Sequence, residues 1–459
     1  MDRLMIFSGD GHAGAPPEAY RPYLDEPYRS LVDDLVAEDE QYMAVAGAPS
    51  RPTPEALEVF DHRGRVRGGG VLGGWDLDVR LAELDADGIA GELIHAGHQN
   101  ATLPFFAIVN KPVAPEVRAA GRRAYHRWLA EFMAGAGGRL VGVAEPGPCL
   151  DMDETLRELT WAADHGFVSV SLPGTTADPD LPPLHDRHFE PFFAACEDLG
   201  LVLSIHAGFG LRQGVFYEFH TRIQEAMAGG AGAAAMQRDP EQAARILAEA
   251  MGTAEDSPLA LDLSTRRPLW LLMAGGVFDR HPGLRLALTE VRADWVPATI
   301  AHLDARLAAR PSSSMALTPS EYYRSHVVVA PSSIHLAEVA MRDAIGVDQL
   351  LFGADYPHPE GTWPNTREWI ANAFEGVAEG DVRKVLGENA VRVYGLDAGL
   401  LGSVAERIGP SPGILADARV DEALVGHFDQ RAGYRRPAES VDTDALDRVL
   451  DADLAALAG

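Results

Sequence analysis

Asp10-Gly11-His12 ends the first apolar run of this chain with two potential metal ligands one residue apart. Three more appear, each just past a later apolar run: His206 after Leu201–Ile205, Glu290 after Leu284–Thr289, and Asp355 after Leu350–Ala354. Residues this distant in sequence but alike in position can converge if the runs are parallel strands whose C-terminal ends open on one face. Imidazole and carboxylate together suit a divalent cation such as zinc, manganese or iron. In an extended segment the period of two puts Asp10 and His12 on the same side, where both can grip one ion. Asp355 lies in Gly353-Ala354-Asp355-Tyr356-Pro357-His358-Pro359, a stiff turn that fixes the direction of the carboxylate. A carboxylate so placed can both hold metal and accept a proton. Taken singly, each of these residues is more commonly a turn or cap residue; their shared position at strand ends carries the reading.

Eight short apolar runs are expected as buried strands: Leu4–Ser8, Ile89–Ala96, Leu140–Ala144, Phe167–Leu172, Leu201–His206, Leu284–Thr289, Val327–Ala330 and Gln349–Gly353. Between most of them lie stretches with helical spacing, at Glu116–Ala134, Asp153–His165, Phe189–Leu199 and Trp295–Ala309. Strand–helix alternation with both faces covered means a parallel sheet. A doubly wound open sheet would leave the first, fifth, sixth and eighth strands far apart, so a (β/α)8 TIM barrel over residues 1–398 is expected. Two long insertions, at about residues 13–80 and 207–265, leave from the lip where barrel lids and pockets are built. Residues 399–459 read as a C-terminal helical extension packing on the barrel or on a second subunit, and a homodimer is expected.

The 459 residues carry 39 Lys+Arg against 68 Asp+Glu, a formal charge of −29. That balance argues against nucleic acid or an anionic membrane as partner, since both attract basic surface. Cys149 and Cys196 are too few for a disulfide framework, which fits a reducing, cytoplasmic location. The N-terminus lacks a signal-peptide pattern, and no apolar run approaches the ~18–20 residues of a membrane span.

The chain resembles the amidohydrolase-related metal-dependent barrels, the branch that includes aminocarboxymuconate-semialdehyde decarboxylase. The resemblance runs from Ile6 to about Leu396. It rests on Asp10-Gly11-His12, Ser204-Ile205-His206-Ala207-Gly208, Gly276–Pro282, Thr289-Glu290-Val291 with Trp295-Val296-Pro297, and Gly353–Glu360. It implies a divalent metal held by Asp10, His12, His206 and Asp355, and an amidohydrolase-type barrel. On the sixth strand, where decarboxylases and hydrolases of this branch have an acid/base histidine, this chain has Glu290, and a carboxylate can bridge two cations. His98 in His95-Ala96-Gly97-His98-Gln99-Asn100, and His302 on the following helix, are possible further ligands, whereas His95 reads as core. Some members of this fold family with carboxylate-rich centres look like non-heme dinuclear iron oxygenases. The leading expectation is therefore a two-iron monooxygenase that hydroxylates a small organic acid with dioxygen, with Glu290 and Asp355 catalytic. The alternative is a mononuclear zinc or manganese hydrolase or non-oxidative decarboxylase. Gln99, Asn100, Phe209, Tyr356, His358 and Trp363 are expected around the substrate, with Phe105, Phe106, Phe216, Tyr217 and Phe219 as further wall candidates.

Overall fold

The computed structural model describes residues 2–40, 70–97, 103–178, 180–214, 261–308, 315–358, 361–416, 421–426 and 443–458. Seven parallel strands form one sheet in the order β1 (Ile6–Ala13), β2 (Ile89–Ala96), β3 (Leu140–Ala144), β4 (Phe167–Ser171), β6 (Val202–Ile205), β8 (Leu286–Thr289) and β9 (Val327–Ala330). A separate parallel pair, β5 (Thr176–Ala177) with β7 (Leu211–Arg212), lies beyond the lip. The expected eighth strand is not a regular ladder; single bridges on both sides nevertheless join it to its neighbours. Leu351 N donates to Val329 O (2.9 Å) on one side, and Gly9 N donates to Phe352 O (2.7 Å) on the other. His12 N to Tyr356 O (2.7 Å) and Asp355 N to Asp10 O (2.8 Å) continue that seam to the lip. The pairing is irregular for two physical reasons. Asp355 adopts φ +55°, which breaks the extended path. Gly353 lies so close to Asp10 that a Cβ there would sit 2.9 Å from the Asp10 Cβ.

Closure shows in the packing. Phe7, Leu93, Val143, Val202, Ala287, Val328 and Leu351, one from nearly every strand position, belong to a single buried cluster. Side chains from strands this far apart meet when the sheet curls around them. Ala390, Tyr394, Leu401 and Ala405 join that cluster from the helices Asn389–Tyr394 and Ala398–Ile408. Each fully buried large side chain in it contributes roughly 1.5–3 kcal/mol relative to exposure. A second, larger shell of apolar residues packs the outer helices onto the strands, including Trp270, Phe192 and Trp295.

The helices occur where the spacing places them, at Pro115–Ala134, Met152–Ala163, Glu190–Leu199 and Val296–Ala308. The last helix, Thr443–Ala458, directs Leu446, Leu450 and Leu454, four residues apart, into the outer shell. Its Asp453 accepts from Trp270 Nε1 (2.8 Å) and Arg267 Nη2 (2.6 Å) on helix Leu261–Ala274. The tail thus packs on its own barrel. Residues 41–69 of the first expected insertion and 215–260 of the second lie outside the described residues. None of the described helices is long and apolar enough to cross a membrane.

Candidate metal centre

The first strand runs further than its apolar residues suggest. Asp10 and His12 lie within β1, not past it, and both are buried. His206 directly follows β6 and Glu290 directly follows β8, as expected. All five expected ligands come together at the lip. His12 Nε2 lies 3.4 Å from Asp10 Oδ1 and 3.3 Å from Asp355 Oδ1. His206 Nε2 is 3.4 Å from the same Asp10 oxygen, and its Nδ1 is 3.1 Å from Glu290 Oε2. Two overlapping donor triads result: Asp10, His12 and His206, and His12, Asp355 and His358, with ligand atoms within 4.8 Å in each.

Supporting contacts hold these side chains from behind. Ser332 Oγ donates to Asp10 Oδ2. Ser8 Oγ donates to Asp10 O (2.6 Å) and accepts from Ala354 N (2.8 Å), tying β1 to the eighth segment. Arg80, fully buried, donates to His12 O (2.8 Å) and Gly73 O (3.0 Å) and pairs with Glu92 (2.8 Å). Outer partners of this kind fix the orientation of metal ligands. Glu290 and Asp355 both sit at positive φ, +53° and +55°. For non-glycine residues this conformation costs free energy and recurs where a site demands a particular direction.

The electrostatics of these side chains suit a cation. Burial alone would raise the Asp10 carboxyl, but His12 and His206 outweigh it and hold it well below the usual range. Burial pushes Glu290 up to about 8, opposed by His206 and reinforced by Asp355 and Asp10. Burial would lower His206, yet Glu290 and Asp10 raise it to about 9. Both ring nitrogens of His12, both carboxylate oxygens of Asp355 and Nε2 of His95 are buried without a hydrogen-bond partner. Buried polar atoms are ordinarily satisfied. Unpaired carboxylate oxygens beside unpaired imidazole nitrogens are what a divalent cation would complete, so this donor set fits one.

Other expected positions come out differently. His358, expected at the substrate wall, lies with Nδ1 3.0 Å from Asp355 Oδ1 and its ring stacked on His12 at 4.0 Å. His95, read as core, is buried but has its ring 4.8 Å from that of His206. His302 is corrected: its Nε2 is 2.7 Å from Asp447 on the C-terminal helix, which engages it in an interhelical ion pair outside both donor triads. Tyr356 is fully buried with Arg80 over its ring at 5.0 Å, and Trp363 Nε1 donates to Glu83 (2.9 Å), so both brace the wall. Phe105, Phe106 and Phe209 are buried. His98, Gln99, Asn100, Phe216, Tyr217 and Phe219 lie outside the described residues. One lip residue escaped the sequence reading. Glu145 follows β3 directly, accepts from Ser171 Oγ (2.6 Å), and is pushed up to about 7 by burial, against the pull of Ser171, Arg122 and His206. Its signal, a carboxylate just past an apolar run, was the same as for Glu290.

Comparison with known proteins agrees with this fold. The amidohydrolase family model matches residues 107–396, well over half of the chain. No curated protein sequence matches. Among solved structures, the barrel is similar to an amidohydrolase from Mycobacterium avium subsp. paratuberculosis (20% identity, TM-score 0.56, covering 86% of this chain and 100% of that one). It is similar to 5-carboxyvanillate decarboxylase from Novosphingobium aromaticivorans with bound manganese and 3-methoxy-4-hydroxy-5-nitrobenzoic acid (18%, 0.54, 86% and 97%). It is also similar to 2,6-dihydroxybenzoate decarboxylase from Rhizobium (19%, 0.51, 86% and 99%). At these identities the structures speak for the fold, whereas the family match carries the assignment. The chain belongs to the amidohydrolase family.

Proposed function

We propose that this protein is an enzyme with one divalent cation, manganese or zinc, that removes carbon dioxide from a small organic acid without oxidation. The observation that carries this reading is the meeting of Asp10, His12 and His206 in one buried donor triad that shares His12 with a second, His12, Asp355 and His358, with Glu290 beside His206. Asp10, His12 and Asp355 are at most 3% exposed, whereas His206 and Glu290 face the opening at 19% and 23%. The likeness to two decarboxylases, one holding manganese, supports this over the two-iron oxygenase.

Asp10, His12, His206 and Asp355 would hold the cation, with Ser332, Ser8 and Arg80 keeping them in register. When bound, the cation supplies positive charge that holds an anionic substrate and offsets the charge that builds on it as the carbon–carbon bond breaks. Decarboxylation leaves an electron pair on carbon, and a proton must replace the departing carbon dioxide. Glu290 is the side chain placed to deliver it, being an acid group with the exposure to meet substrate. His206, 3.1 Å away, orients that carboxyl.

A second reading rests on one specific observation. Four imidazoles (His12, His95, His206 and His358) and three carboxylates (Asp10, Glu290 and Asp355) cluster at this mouth. That exceeds the four ligands of an ordinary zinc site. The surplus favours room for a second ion and so the two-iron oxygenase. Manganese-loaded protein, assayed without oxygen on a panel of hydroxylated benzoic acids for carbon dioxide release, tests the proposal. Turnover under those conditions supports it. Turnover only with iron and dioxygen overturns it in favour of the second reading.

A further inference from the structure

A cavity of about 320 Å³ lies beside the β3 lip, between the helices Pro115–Ala134 and Met152–Ala163. It shares none of the ligand candidates of the metal centre. Arg118 and Arg122, one helical turn apart, both line it and a smaller adjoining hollow. The Arg122 guanidinium rests flat on the turn after β3. A Cβ on Gly147 (φ +75°) would stand 2.3 Å from its Cζ, so only glycine allows that seat.

Most of the charges around the cavity are already committed. Glu154 pairs with Arg123, and Glu158 accepts from Arg127 (2.9 Å). Asp151 caps its helix by accepting from Glu154 N (3.0 Å), and Asp178 lies 3.4 Å from Arg118. Glu145 accepts from Ser171. Among the described residues, Arg122 has neither a hydrogen bond nor an ion pair. Burial lowers its guanidinium to about 10, and the like charge of Arg118 adds to this. The side chain is half-buried and faces the cavity, which leaves its donors for an anion that enters there. The planar fork suits a carboxylate, bound by two parallel N–H donors. Ala119, Pro146, Pro148 and Leu150 give the wall an apolar side, and Leu150, 43% exposed, marks its mouth.

We propose that this cavity binds a small organic acid, its carboxylate held by Arg122 and Arg118 and its apolar body against Ala119, Pro146, Pro148 and Leu150. The volume falls at the lower end for small-molecule sites, which suits a ligand the size of a substituted benzoate. The site stands apart from the metal centre and does not depend on the reaction carried out there. Glu145 links the two, since it lines the cavity and its carboxyl responds to both Arg122 and His206.

The test is calorimetric titration of metal-loaded protein with benzoate, inorganic phosphate and benzyl alcohol. Benzoate is expected to bind the parent better than either other probe. Arg122→Met, and Ala119→Phe, which fills the cavity without touching a charge, should each weaken benzoate at least ~10-fold. His206→Ala, which disables the metal centre, should leave that binding within about twofold. Thermal melts of all variants check the fold, and Ala119→Phe keeps the test decisive should Arg122→Met unfold. Benzoate binding lost only in His206→Ala, unchanged in both cavity variants, absent in the parent at millimolar concentration, or matched by phosphate would overturn the proposal.

Discussion

Loading the metal-free protein with manganese should release about one proton per chain at pH 7, and that proton should come from His206. With its pKa raised to about 9 by Glu290 and Asp10 against burial, His206 is charged at pH 7 in the metal-free protein. A ligand imidazole must be neutral, so binding has to strip that proton. The sign follows: release is complete well below pH 9, about half at pH 9, and vanishes above it. Two pKa units at 1.36 kcal/mol each make the proton cost at pH 7 about 2.7 kcal/mol. Apparent affinity should thus be about 100-fold weaker at pH 7 than on the alkaline plateau. Glu290, 3.1 Å from His206, titrates together with it, so the single proton expected at pH 7 is the one the pair shares. Calorimetric titration in buffers of differing ionisation heat counts the protons directly. No release at pH 7 would refute the assignment of His206 as ligand. Release near two would bring Glu290 onto the metal and favour the two-ion reading.

Ser332→Ala removes the donor to Asp10 Oδ2 and should weaken metal binding ~10–100-fold with an unchanged melting temperature. A loss of melting temperature without a loss of affinity would show a structural role instead. His302→Ala should leave metal content unchanged and cost at most ~1 kcal/mol, since it removes only an ion pair with Asp447 at the helix interface. Loss of metal in that variant would contradict the placement. Burial would raise the Glu158 carboxyl, but Arg127 and His126 bring it down to about 2. Its stabilisation is present above the ordinary carboxylate range and is lost as pH falls from about 4.5 towards 2. Acid unfolding of Glu158→Gln should therefore lose its slope in that window, by roughly 2 kcal/mol after allowing for solvent. An unchanged slope would deny the pairing.

The barrel was legible because its strands are buried on both faces and read as apolar runs. That Asp10, His12, His206, Glu290 and Asp355 lie near one another was legible from their positions at or near the ends of those runs. The contact of His358 with Asp355 was not expected, since it arises from a turn whose geometry the residue types alone do not fix. His95 was discounted as core because burial in sequence terms cannot distinguish a satisfied imidazole from one with an unpartnered Nε2 facing a histidine cluster. His302 went the other way. Its helical spacing from Glu290 allowed an inward direction, but Asp447, 145 residues later, takes the ring. The eighth strand was found as a segment but not as an irregular one, because the break comes from the positive φ at Asp355 and the close approach of Gly353 to Asp10.

Anomalous diffraction at the manganese absorption edge, on crystals of the loaded protein, tests the central claim most directly. A single peak per chain is predicted, within ~2.0–2.3 Å of donor atoms from His12 and His206 and at carboxylate bonding distance from Asp10 and Asp355. Two peaks bridged by Glu290, or one peak away from these four residues, would contradict it.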